Sequence, residues 1–409
     1  MPITTKIKKT KSNRVVNLIV ILILIVISGG AGFVIGRQST DSLDSLDTAK
    51  LTGRELPKEF NFSLMREVWK IIGRDYVNNE NIDNQEMFYS MMRGFVAGLD
   101  DPYTVFFDPS ETKEFNGDIE GKFEGIGAEI AIRDGNLVVV APLADSPAER
   151  AGVKAGDIIF AIDDEDTSEM TLNEAVKKIR GEKGTEVRLL LFRSGREPFE
   201  VKIIRDVIYI ESVKYEMKED NIGYIHIRSF NTDTDELFGA AVKDLKAKGA
   251  KAVIIDMRNN PGGLLDMAIK VSSAWLDSGQ LVVSEQFGDG QKVDYQSEGE
   301  PILKDMPTVV LVNNGSASGS EIVAGALHDH QKATLVGTQT FGKGSVQNLQ
   351  TLSDGSSIKI TIAKWLTPSG TSISDEGVAP DVEVEYTADD AAKDIDPQLQ
   401  KALEILTIN

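Results

Sequence analysis

From Ile222 onward, short apolar runs alternate with segments of helical spacing, and this alternation constrains the fold more than any other feature of the chain. Gly223 to Ile227 reads as a strand, Thr232 to Leu245 as a helix, Ala252 to Asp256 as a buried strand and Leu264 to Leu276 as a helix. Thr308 to Val312, Ser320 to His328 and Thr334 to Gly337 repeat the strand–helix–strand order. Such a pattern predicts a mostly parallel sheet with helices on its faces. Functional loops in these sheets gather at the carboxyl ends of the strands. Three loops of unusual composition follow strands here: Pro261-Gly262-Gly263, the run Ser316 to Ser320, and the loop that sets Lys343 between Gly342 and Gly344.

The remainder of the 409 residues leaves room for one or two further domains. Residues 1–14 hold five basic side chains (Lys6, Lys8, Lys9, Lys11 and Arg14) and no acidic one. Val15 to Ile35 follows, 21 residues without a charge. About 20 apolar residues cross the hydrocarbon core, and basic residues before such a span hold that end in the cytoplasm. Residues 15–36 are therefore expected to form an uncleaved signal anchor. The expected location is the cell membrane, single-pass, with 1–14 a cytoplasmic tail and the catalytic part extracytoplasmic. A cleaved signal peptide is the alternative, and both readings export the soluble part.

Residues 37–60 read as a polar linker and 61–118 as a helical region. Leu64, Val68, Ile71 and Ile72 share one helical face, and Met87, Met91, Met92, Phe95 and Leu99 another. The methionine-rich face reads as a core or subunit contact. Residues 119–206 change to short strands, 207–390 hold the β/α alternation, and 391–409 form a helical tail. The whole is expected to be a multidomain α/β protein.

The formal net charge is −20, from 44 basic and 64 acidic residues. Without the basic tail the balance is 39 − 64 = −25. A surface of that sign disfavours nucleic acid, whose phosphates need a basic face. There are no cysteines, so disulfides, thiolate catalysis and Cys-ligated zinc are excluded. No metal site and no cofactor is predicted.

The candidate chemistry lies in Ser316, Ser318 and Ser320. Ser320 with Glu321, just before Ile322-Val323, reads as a helix N-cap. Ser318 then reads as the nucleophile, leading through Gly319 into a helix start whose free N–H groups and dipole suit an oxyanion. A serine needs a base, and the chain has only three histidines: His226, His328 and His330. The last two fall about 15 Å along the helix from its start. A lysine serves instead if burial removes its proton, and Lys343 is placed for that. An ordinary surface lysine and a phosphate-binding lysine are the alternatives, the latter without a G-x-x-x-x-G-K-[ST] pattern to support it.

Two resemblances add to this reading. Gly125-Ile126-Gly127-Ala128, the turn Ser146-Pro147-Ala148-Glu149-Arg150-Ala151-Gly152-Val153-Lys154-Ala155-Gly156-Asp157 and the helix Thr171 to Ile179 occur in the order of a PDZ domain. In that family the loop's N–H groups grip a peptide's C-terminal carboxylate and the peptide adds as a strand. Here the donors would come from Gly125, Ile126, Gly127 and Ala128. From Phe62 onward the chain resembles the carboxyl-terminal processing proteases, also called tail-specific proteases. The resemblance rests on Gly98-Leu99-Asp100-Asp101-Pro102-Tyr103, the PDZ domain, Asp256 to Gly263, Gly315 to Leu327 and Thr340 to Gln347.

That family implies a Clp-protease/crotonase-like core with an inserted PDZ domain and a Ser–Lys pair. Ser318 would be the nucleophile, Lys343 the general base, and Gln347 the residue that orients the lysine. Oxyanion donors would be the N–H of Gly319, where alanine is common in the family, and of a glycine in the 261–263 turn, Gly263. Arg180, after the second PDZ helix, would link a bound tail to the catalytic residues; a solvated helix-end cation is its plainer reading. The N-terminal helices and the tail Pro397 to Leu406 resemble segments that pair subunits, which implies a possible homodimer. The expected substrates are protein or peptide chains with apolar C-terminal tails. A catalytically silent PDZ adaptor and a crotonase-type acyl-CoA enzyme are the readings from other classes.

Overall fold

The computed structural model describes residues 61–408, apart from 134, 144, 375, 388, 391, 392 and 394. The predicted membrane span and the linker lie outside the described residues. Among the described residues no helix is long and apolar enough to cross a membrane.

The chain divides into two units, Met1–Asn84 and Gln85–Asn409. The described part of the first is the helix Phe62–Asp75, followed by a 3-10 turn at Asn79–Asn81. The Asn61 side chain caps that helix by accepting the Leu64 N–H at 3.1 Å. None of its residues is buried, and Phe62, Leu64, Met65, Val68, Trp69 and Ile71 are all exposed.

The second unit is built on a six-stranded sheet in the order Val213–Met217, Ile222–Ile227, Ala252–Asp256, Thr308–Val312, Thr334–Gly337 and Val382–Glu383. The first pair is antiparallel and the others are parallel. Ala252–Asp256 and Thr308–Val312 are buried at every position, as strands covered on both faces must be. Their side chains alternate between two cores. Val253, Ile255, Val310 and Val312 face the helices Thr234–Ala247, Leu265–Ser273 and Gly319–Asp329. Ala252, Ile254, Val309 and Leu311 face the C-terminal helix Pro397–Ile408, whose Ala402 is fully buried and whose Leu399, Leu403 and Leu406 pack around it. Burying a Val, Leu or Ile side chain stabilises by about 1.5–3 kcal/mol, so the tail helix is an integral layer of this unit.

A second sheet has no counterpart in the sequence reading. Val105–Phe107, Ser357–Leu366, Leu281–Phe287 and Lys292–Gln296 pair antiparallel in that order, and Ser345–Thr351 pairs with Ser357–Leu366. It packs on the same core through Val283, Val346, Ala363 and Trp365.

The PDZ region is an insertion. The chain enters through Lys122–Gly125 and leaves through Asp206–Tyr209, and these two segments pair antiparallel, Lys122 opposite Tyr209. Between them lies an antiparallel sheet of Ala128–Arg133, Asn136–Pro142, Ile158–Ile162, Glu186–Phe192 and Phe199–Ile204. It has its own core, including Ile126, Val139, Ile159, Ala175 and Leu189. The strands Lys122–Gly125 and Ala128–Arg133 are separated by a break at Ile126-Gly127. Gly127 has φ +71°, and a Cβ there would lie 2.5 Å from the Ser146 Cβ. Buried Arg205 closes the helix Leu172–Ile179 by donating to the carbonyls of Lys178 at 2.8 Å and Ile179 at 2.9 Å.

Candidate active site

Three neighbouring parallel strands end side by side, and the loops that follow them converge. Buried Asn260 joins the first loop to its surroundings. Its amide donates to the Ile227 carbonyl at 2.8 Å, and its Oδ1 accepts the Gly262 N–H at 2.9 Å. Its backbone carbonyl accepts from the Ala317 N–H at 2.9 Å and the Ser320 hydroxyl at 3.0 Å. A second tie crosses the strand ends: Asn313 Oδ1 accepts the Asn259 N–H at 2.8 Å, and its amide donates to Asn259 Oδ1 at 3.0 Å. Behind the turn, half-buried Arg258 donates to Asp256 at 2.6 Å, to Asp396 at 2.8 Å and to Gln398 at 3.1 Å. The C-terminal segment thus braces the glycine turn.

The three serines separate by what their hydroxyls do. Ser316 Oγ donates to the Met257 carbonyl at 2.8 Å and accepts the Asn313 N–H at 3.0 Å. Ser320 is fully buried and bound to Asn260 as above. The Ser318 hydroxyl donates to no group among the described residues. The sequence reading of Ser320 as the N-cap is corrected here: the helix begins at Gly319 and Ser318 is its N-cap residue. Ser318 carries φ +51° and ψ −111°, a conformation that costs a non-glycine residue about 1–3 kcal/mol. The result is a strained strand-to-helix elbow that presents Ser318 at the loop junction.

Glu321, read from sequence only as part of a cap, is fully buried between the second and third loops. Its Oε2 accepts the Ser318 N–H at 2.8 Å and the Lys343 N–H at 3.0 Å. Its Oε1 accepts the Thr340 hydroxyl at 2.6 Å and the Gly342 N–H at 2.7 Å. Burial pushes its carboxyl above the usual range against these four donors. Burial likewise lowers the Lys343 ammonium below the ordinary lysine value, and the Glu321 charge opposes that shift. The Lys343 amine lies over the Tyr103 ring, 5.4 Å from its centroid, and makes no hydrogen bond to Ser318 in this structure. Tyr103 belongs to the turn read from sequence as a family motif, and no local pattern signals its proximity to Lys343. Gln347 donates to Ser345 Oγ at 2.8 Å and to Thr361 Oγ1 at 3.4 Å, with no bond to the Lys343 amine.

Two N–H groups in the converging loops donate no hydrogen bond among the described residues, those of Gly319 and Gly263. The Gly262 N–H is taken by Asn260, while the Gly262 carbonyl accepts from Phe230 and the Phe230 carbonyl from Leu264, which leaves Gly263 out. Gly262 packs directly on the elbow: a Cβ there would sit 2.7 Å from the Ser318 Cβ and 2.8 Å from the Gly319 nitrogen.

Comparison with known proteins gives the family. The profile of Peptidase family S41 matches residues 221–384, and that of a PDZ domain residues 138–193. The chain is 38% identical over 367 residues to the carboxy-terminal processing protease CtpA of Bacillus subtilis, covering 90% of this chain and 76% of that one. It belongs to the carboxyl-terminal processing proteases of peptidase family S41. A carboxy-terminal-processing protease of Bartonella bacilliformis is 39% identical over 322 residues, covering 78% of this chain and 74% of its own length. Among solved structures, the photosystem II D1 C-terminal processing protease superposes with a TM-score of 0.51 at 30% identity, covering 79% of this chain and 92% of its own. A putative S41 protease from Bacteroides fragilis shares the fold, with a TM-score of 0.56 at 17% identity over 86% of this chain and 99% of its own.

The other predicted residues of this S41 protease lie in the PDZ insertion. Gly125, Ile126 and Gly127 are buried and Ala128 opens the first strand of the PDZ sheet. The N–H groups of Ile126 and Gly127 make no hydrogen bond among the described residues. Arg180 closes the second PDZ helix, and its backbone lies 3.7 Å from where a Cβ on Gly125 would be. Its guanidinium donates to Glu114 at 2.7 Å, approaches Asp118 at 3.5 Å and stacks 4.8 Å over Phe123. Glu114 and Asp118 sit on the helix Pro109–Ile119, outside the PDZ sheet. The histidines stay away from the elbow. His328 ends the nucleophile helix beside Asp329 and Asp381, His330 contacts the Leu281 carbonyl at 2.7 Å, and His226 lies on the strand Ile222–Ile227.

Proposed function

We propose that the chain is a membrane-anchored Ser–Lys endopeptidase that cuts exported proteins near apolar C-terminal tails. The observation that carries the reading is the contrast among the three serines: Ser318 alone has a hydroxyl that donates to no described group, on a strained elbow at the start of a helix, with a half-buried lysine on the adjoining loop. Neutral Lys343 takes the Ser318 proton as Oγ attacks the scissile carbonyl carbon. The Gly319 and Gly263 N–H groups stabilise the resulting oxyanion. The lysine then gives its proton to the leaving amine as the C–N bond breaks, which leaves an acyl ester on Ser318. A water molecule, deprotonated by the same lysine, attacks the ester and frees Ser318. The amine rests over Tyr103, so productive catalysis requires it to swing to Ser318, where Gln347, on the strand that follows the lysine loop, orients it.

In this reading the PDZ domain accepts a substrate tail on Ile126 and Gly127, and Arg180 passes tail occupancy to the protease core by exchanging Glu114 and Asp118 for the tail carboxylate. Ser318→Ala abolishes cleavage of an unfolded, tail-bearing substrate while leaving the melting curve intact; full activity in that variant ends the assignment. Residues 1–36 hold the protein in the membrane with the catalytic part outside, so digestion of intact protoplasts by an added protease removes it. Protection of the catalytic part would refute the topology. The exposed apolar face of Phe62–Asp75 pairs two copies, and Trp69→Asp shifts the sedimentation of the soluble part from dimer to monomer. An unchanged sedimentation coefficient would refute the pairing.

A further inference from the structure

We propose that Glu321 is a positioning residue for this protease, and that it works only as the ionised carboxylate: it locks the nucleophile elbow to the general-base loop. The inference rests on the Ser318–Lys343 reading and adds a third residue to it. One oxygen of Glu321 receives both the Ser318 and the Lys343 N–H, at 2.8 and 3.0 Å. Two residues that must act on one another are thereby fixed through a single atom. The second oxygen receives the Thr340 hydroxyl and the Gly342 N–H, at 2.6 and 2.7 Å. Thr340 in turn accepts the Val378 N–H at 2.7 Å, which holds the lysine loop from its other side.

The charge state matters because every partner is a donor. An ionised carboxylate has about four acceptor positions, and all are used. A protonated Glu321 would have to donate from one oxygen towards groups that themselves donate, and at least one bond of the lock would be lost. The group is fully buried, which pushes its carboxyl above the usual range. The charged group facing it is Lys343, from the neighbouring loop. Lys343 is in turn felt by Lys359, on the strand Ser357–Leu366, which Asp101 also faces. Glu321 therefore has a second effect: its charge favours the ammonium form of Lys343, and neutralising it moves the lysine to a lower value.

The test is kcat and KM for a tail-bearing peptide across pH, in wild type, Glu321→Gln and Glu321→Asp, with Ser318→Ala and Lys343→Ala as baselines and a melting curve for each. A displacement of about 1 Å at a catalytic group costs roughly 100-fold in rate. Glu321→Gln is expected to lose kcat on that scale, with KM nearly unchanged and the midpoint of the rising limb moved to lower pH. Glu321→Asp keeps the charge, so its midpoint stays with wild type while kcat falls less. A packing role alone would lower kcat without moving the midpoint, and that result overturns the proposal, as does a Glu321→Gln variant with wild-type kcat. Should the glutamine variant not fold, wild type decides through labelling of Ser318 by a fluorophosphonate. The log rate steepens from a slope of about one to about two on the acid side, where Glu321 and Lys343 both titrate; a slope that stays at one down to the ordinary carboxylate range refutes the lock. Activity retained in Ser318→Ala or Lys343→Ala ends the dyad reading and this inference together. Both baselines dead beside an unaffected Glu321→Gln end this inference alone.

Discussion

Gly262→Ala tests the geometry at the nucleophile most directly. Gly262 has φ +98°, a left-handed value whose cost for an L-residue is about 1–2 kcal/mol. The added methyl would lie 2.7 Å from the Ser318 Cβ, 2.8 Å from the Ala317 carbonyl oxygen and 2.8 Å from the Gly319 nitrogen. Ordinary contact begins at 3.4 Å, so the elbow must retreat by 3.4 − 2.7 = 0.7 Å. The obstacles belong to the elbow itself, two of them main-chain atoms, and none can rotate aside. Overpacking of this kind adds about 1–3 kcal/mol, for a total destabilisation of about 2–5 kcal/mol. A shift of 0.7 Å, scaled against roughly 100-fold per ångström, lowers kcat by about 10- to 100-fold. The control is Gly319→Ala. Its methyl meets the edge of the Phe230 ring at 3.0 Å, a side chain that can yield by a few tenths of an ångström. Peptide hydrolysis and urea unfolding of both variants provide the comparison. Equal, near-wild-type kcat in both would show that the glycine turn does not support Ser318, and the placement of the oxyanion donors would fall with it.

Four further outcomes follow from the same structure. Lys343 must be neutral to act, and burial lowers its folded value below the ordinary one, so kcat/KM rises with pH through a midpoint below the usual lysine range; a midpoint at or above that range contradicts the assignment. Stability carries the same sign: the unfolded chain binds the extra proton between the lowered and the ordinary lysine values, so Lys343 makes the fold more stable as pH rises through that window, and Lys343→Met removes this slope from urea unfolding. Arg258→Ala leaves buried Asp256 without its cation, and loss of one partner from a buried pair costs about 3–5 kcal/mol; a denaturant midpoint close to wild type would show that the C-terminal brace is dispensable. Arg180→Ala breaks only partly exposed pairs with Glu114 and Asp118, worth about 0–1 kcal/mol, so its melting curve stays near wild type while stimulation by a free apolar tail peptide is lost; intact stimulation would remove Arg180 from the relay.

The parts legible in the sequence are those that depend on local pattern. Ala252–Asp256 and Thr308–Val312 announce themselves as buried parallel strands because both faces are covered and every residue is apolar or strand-terminal. The PDZ insertion is legible because Gly127 and the Ser146-Pro147 helix start occupy positions that few other residues tolerate. The antiparallel sheet is not, since Lys292–Gln296 is mostly exposed and its partners come from Leu281–Phe287 and, beyond it, Ser357–Leu366. Pairings of that range carry no periodic signal. The same limit applies inside the site. Ser318 could be chosen from its neighbours, but what Ser316 and Ser320 bind is the backbone of Met257 and Asn260, some 60 positions earlier. Glu321 is the sharpest case. Locally it is the acid of a helix start, and the capping reading is reasonable: it does accept the N–H of the cap residue Ser318. Its other three donors come from residues 340–343, on a loop that only the sheet brings to it. A capping residue and a catalytic brace are thus the same side chain, and only the tertiary contact separates the two roles. The burial that lifts its carboxyl also depresses Lys343, so the lock and the base are tuned by one dry junction between two strand ends.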